Sequence, residues 1–64
     1  MYETKLKSIR KEKGLTITKL AELSGISAGY ICHLENGSRT NPSIETMEKI
    51  ANVLNKTILE VFFR

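Results

Sequence analysis

Sixty-four residues, ten Lys/Arg against seven Asp/Glu and a net charge of +3 describe one small, mildly basic domain. One cysteine excludes an internal disulfide, and one histidine beside it cannot complete a four-ligand zinc site, so no metal or other cofactor is expected. A chain this short buries only about 60% of its unfolded surface, which leaves a second subunit as the natural source of extra stability.

The charge is unevenly spread. Lys5, Lys7, Arg10, Lys11 and Lys13 crowd the first thirteen residues, opposed only by Glu3 and Glu12. Either a polyanion partner or a solvated helix face accounts for that bias. No apolar run approaches the ~20 residues needed to span a membrane, and no signal peptide is visible. A lone thiol fits the cytoplasm.

In chain order, residues 2–13 read as a first helix, with Tyr2, Leu6 and Ile9 on one face and Gly14 as a left-handed stop. Leu15 turns inward. Thr16 is the expected N-cap of a second helix running to Ser24, with Leu20 and Ala21 inward. Gly25 supplies a positive φ for an abrupt reversal. Ser27 caps a third helix that runs to about Asn36, with Ile31 and Leu34 inward and Gly37 as its stop. Two short helices joined by three or four residues form a helix-turn-helix, whose second helix enters the DNA major groove.

Residues 37–42, GSRTNP, are turn-formers, and Pro42 disfavours helix at Asn41. Ser43 then caps a fourth helix with an inward stripe of Ile44, Met47, Ile50, Ala51 and Leu54. Asn55 is the expected left-handed terminator. Thr57 and Glu60 form a T-x-x-E capping box for a short last helix through Phe63. The expected fold is all-α, five helices with short links.

The stretches GLTITKLAELSGIS and GYICHLENGSRTNPSIETMEKIANVL resemble the Cro-like (XRE) helix-turn-helix family of phage and bacterial repressors. The resemblance covers about residues 6–63 and implies a lambda-repressor-like DNA-binding domain. It implies that Arg10 pairs with Glu35, holding the first helix against the third. It places Ser27, Ala28, Gly29, Cys32 and His33 at the base edges. This set departs from the Gln, Arg or Lys usual there. Ala28 and Gly29 lack hydrogen-bonding side chains, although Ala28 can touch a thymine methyl. Gly29 is read as permitting close backbone approach, and His33 as the candidate bond to a purine N7 or O6. Cys32 is read as a filler; an outward small residue and a redox sensor are the alternatives.

Phosphate contacts are expected from the N-terminus of the second helix, at Thr16, Ile17 and Thr18, whose free N–H groups favour anions. Ile17 departs from the polar residue usual in the family, leaving the backbone and the two threonines for contact. Tyr30, Asn36, Ser38, Arg39, Thr40 and Asn41 are expected on the other strand, with Arg39 foremost.

In the last helix, the family pattern points Ile58, Val61 and Phe62 inward. Leu59 and Phe63 are left on the other face beside Val53, as a homodimer patch or as a frayed end that folds back. A two-fold dimer would place two recognition helices about 34 Å apart on a near-palindromic operator. The leading expectation is thus a dimeric DNA-binding repressor with double-stranded DNA as partner and no small-molecule ligand. The competing one is an antitoxin or other protein-interaction module in which DNA binding is secondary. A catalytic role has little support, because Cys32 and His33 lie about 100° apart on a helix with no third orienting group.

Overall fold

The computed structural model describes residues 4–37 and 42–63. Five helices follow in order: α1 (Leu6–Glu12), α2 (Ile17–Ser24), α3 (Ala28–Glu35), α4 (Ile44–Leu54) and α5 (Ile58–Phe62). Among the described residues there is no strand, and no helix is long and apolar enough to cross a membrane.

Local chemistry fixes where the helices begin. Thr16, Ser27, Ser43 and Thr57 all take extended backbone angles, and each side-chain oxygen accepts the N–H three residues on. Each cap satisfies a donor that the first turn leaves without a helical partner. At α5 the box is reciprocal, because Glu60 Oε1 also accepts from the Thr57 N–H at 2.9 Å.

The ends are set by left-handed residues. Gly14 has φ +73°; its N–H bonds Lys11 O while Leu15 N–H bonds Arg10 O, the paired bonds of a Schellman motif. Asn55 (φ 58°) repeats the arrangement after α4, with Asn55 N–H on Asn52 O and Lys56 N–H on Ala51 O. Gly25, at φ +77°, provides the reversal between α2 and α3 in only three residues.

The core gathers one stripe from each helix. Leu6 and Ile9 come from α1, Leu20 from α2, Ile31 and Leu34 from α3, Met47, Ile50, Ala51 and Leu54 from α4, and Val61 and Phe62 from α5. Each large side chain so buried contributes about 1.5–3 kcal/mol of transfer free energy. The helix α1 rests on α3 and α5, α2 on α3 and α4, and α4 on α5. A backbone bond from Lys5 N–H to Val61 O (2.9 Å) ties the start of α1 to α5.

Several expectations need correction. The first helix begins at Leu6 rather than residue 2, with Lys5 at its N-cap; Tyr2 lies outside the described residues. Ile44 is not in the core: it is 62% exposed. It is the first residue of α4, and a helical side chain leans toward the N-terminus, here past the end of the packed stripe. Ala21 and Ile58 are only half-buried, packed against the core rather than within it.

Candidate nucleic-acid interface

The two faces of α3 differ sharply. Ile31 and Leu34 are buried, whereas Ser27, Ala28, Gly29, Cys32 and His33 are exposed. The cap at Ser27 and the short turn from α2 fix the start of this helix, so its first turn projects from a rigid base. A Cβ placed on Gly29 meets nothing within 4 Å, so no contact inside the chain requires glycine there. Ser27 spends an acceptor position on the Tyr30 N–H (3.2 Å), but its hydroxyl proton remains able to donate.

The other end of α3 is anchored by charge. Arg10 Nε donates to Glu35 Oε2 at 2.6 Å and Nη2 to Oε1 at 3.2 Å, a bidentate pair. A third donor, Nη1, reaches the Leu15 carbonyl at 2.6 Å. The two side chains are 9% and 3% exposed, and the exposure Glu35 retains belongs to its backbone. One guanidinium therefore joins α1, the link to α2 and α3. The Leu15 carbonyl was not foreseen, since no residue pattern marks a backbone acceptor.

Of the phosphate-side residues, Thr16 and Thr18 are exposed at the α2 N-terminus, and Thr16 Oγ1 accepts the Lys19 N–H at 3.0 Å. Ile17 is half-buried against the core, and its side chain has no hydrogen-bonding group to offer at that position. Tyr30 is likewise half-buried against the core. Asn36 is exposed, and its Nδ2 donates to Cys32 Sγ at 3.6 Å. That contact holds the exposed Cys32 thiol and the amide together on one side of the helix. Ser38, Arg39, Thr40 and Asn41 lie outside the described residues. Leu59 is exposed on α5; Phe63, expected as the end of that helix, lies just past it with extended backbone angles and is also exposed, and Val53 is half-buried. Among the described residues no cluster of three or more His, Cys, Asp or Glu is placed to hold a metal ion.

The fold is similar to that of known proteins. Residues 6–61 match the helix-turn-helix family. The HTH-type transcriptional regulator SinR of Bacillus subtilis is 38% identical over 58 residues, 91% of this chain and 52% of SinR. The chain thus spans about half the length of that relative. A crystal structure of SinR in complex with DNA superposes with a TM-score of 0.80 at 39% identity, covering 84% of this chain and 86% of that one. SinR in its complex with SinI gives 0.81 at 38% identity, over 86% of this chain and 53% of that one. The restriction-modification controller protein C.AhdI of Aeromonas hydrophila gives 0.81 at 36% identity, covering 88% and 83%.

Proposed function

Because this chain belongs to the Cro-like (XRE) helix-turn-helix family, we propose that it is a sequence-specific DNA-binding transcriptional regulator, most simply a repressor that occupies an operator. Its relatives are regulators rather than enzymes. One observation carries the reading: α3 turns Ser27, Ala28, Gly29, Cys32 and His33 to solvent while its opposite face is locked into the core. In the major groove, the helix would read bases mainly through His33 and the Ala28 methyl, with Gly29 letting the backbone come close. Thr16, Thr18 and the first-turn N–H groups of α2 supply the phosphate contacts on one strand. Asn36, Tyr30 and residues 38–41 supply those on the other.

With so few base-reading side chains, shape and deformability of the duplex carry part of the selectivity. Leu59, 69% exposed, and Phe63, 44% exposed just past the end of α5, are apolar surface that supports a two-fold dimer. Its operator is then a near-palindrome with half-sites about 10 base pairs apart. The cell compartment that fits this activity is the cytoplasm. A second reading, a module governed by a protein partner, is favoured by the same exposed pair and by the SinI complex of SinR. Selection of bound duplexes from a random pool tests the first reading. A recurring motif with inverted symmetry is expected; a pool that keeps its starting composition would contradict it.

A further inference from the structure

We propose that Cys32 is a positioning residue, whose sulfur holds the Asn36 carboxamide in the orientation that delivers an N–H to a DNA phosphate. The inference rests on the reading above, which gives Asn36 a phosphate contact, and it gives Cys32 a role in place of the filler expected from the sequence.

Ala28, Cys32 and Asn36 stand on successive turns and all three are exposed, so they form one stripe from the base-reading end of α3 to its last turn. Asn36 is tied to Cys32 twice. Its backbone N–H bonds the Cys32 carbonyl at 3.0 Å, which keeps this cap residue in helical register at φ −80° and ψ −2°. Its Nδ2 donates to Cys32 Sγ at 3.6 Å, which orients the side chain as well.

The chemistry of the acceptor decides what that orientation does. An asparagine amide turns broadly about its last torsion. Only its nitrogen edge can donate to a phosphate, and its oxygen edge can only accept. A sulfur lone pair accepts weakly, but it selects nitrogen over oxygen on the side it faces. One Nδ2 hydrogen then goes to Sγ and the second is kept for an acceptor beyond the helix. A serine at this position would turn its hydroxyl back to the carbonyl one turn earlier, that of Ala28. The thiol is a weaker donor and competes less. Ordering the amide in the free protein removes a cost that binding otherwise carries.

The test is a double-mutant cycle: wild type, Cys32→Ala, Asn36→Ala and Cys32→Ala/Asn36→Ala, titrated against the selected duplex and against duplexes with each base pair changed in turn. Alanine forms helix better than cysteine, so Cys32→Ala is expected to melt no lower than wild type. It is expected to weaken binding about two- to tenfold, the worth of ordering one side chain at an interface. The factor should be the same on every duplex, and the salt slope should not move, because an amide neutralises no phosphate. In the Asn36→Ala background the same substitution should change nothing. In the free protein, the two Nδ2 proton resonances of Asn36 should shift toward those of a solvated amide when Cys32 is replaced. Equal losses with and without the Asn36 amide, or a loss confined to one base position, would overturn the proposal and make the thiol a direct contact. An affinity unchanged by Cys32→Ala would also overturn it and leave the regulator reading intact. A wild type with no affinity for any duplex would remove both.

Discussion

Breaking the Arg10–Glu35 pair tests the architecture beneath the interface. The side chains are 9% and 3% exposed, so either partner left alone is a charge in a largely dry site. Removing one partner of such a pair costs about 3–5 kcal/mol. A domain of this size has only ~3–5 kcal/mol in total. Arg10→Met and Glu35→Leu are therefore each expected to be mostly unfolded at 25 °C. Sucrose or trimethylamine N-oxide in the buffer restores enough native population for urea titrations followed by far-UV circular dichroism. The double variant removes both charges and fills the space with apolar side chains. Its expected stability lies within about 1–2 kcal/mol of wild type, because the Leu15 carbonyl alone loses a donor. The cycle then shows strong coupling. Single variants that lose less than ~1 kcal/mol, or a double variant no more stable than the singles, would refute the reasoning.

Further outcomes are expected. Gly29→Ala adds about 0.5–1 kcal/mol of stability, since the site is helical and open, while a filter-binding assay shows weaker affinity for duplex. His33→Ala flattens preference at one base position, whereas Arg39→Ala weakens all sequences alike and lowers the salt slope by about one unit; parallel losses from both would contradict that division. Glu60 has its pKa held below the ordinary 4.5, first by the Thr57 backbone N–H and then by the Thr57 hydroxyl. Its contribution is complete above the unfolded carboxyl pKa and is lost as pH falls through and below 4.5, so thermal melts of Glu60→Gln should show a weaker decline there than wild type. Leu59→Glu/Phe63→Glu is expected to sediment as a monomer at micromolar concentration where wild type is a dimer; identical masses would dismiss the α5 interface.

The parts of the fold that could be read from residues alone are those set by neighbours in the chain. A threonine or serine before an apolar stripe, or Gly14, Gly25 and Asn55 after one, acts within a single turn, so short sequence windows reveal it. The α4 stripe was readable for Met47, Ile50, Ala51 and Leu54, but not at Ile44, where periodicity continues and the packing partner does not. The half-burial of Tyr30 and Ile17 escaped for the opposite reason: both stand on the presumed contact face and are drawn partly under it by core neighbours. Ser24 is buried, with its Oγ accepting the Ile26 N–H at 3.3 Å, which a polarity pattern alone assigns to the surface. The Cys32–Asn36 contact and the third donor of Arg10 depend on distances across turns and links, and composition carries no trace of either.

The most direct test is a backbone amide NMR titration with the selected duplex. The largest shifts should fall on residues 27–33, the cap and first turns of α3, and 16–19, the cap and first turn of α2, with α4 unmoved. Shifts concentrated on α5, with α3 unchanged at saturation, would contradict the assignment of α3 as the reading surface.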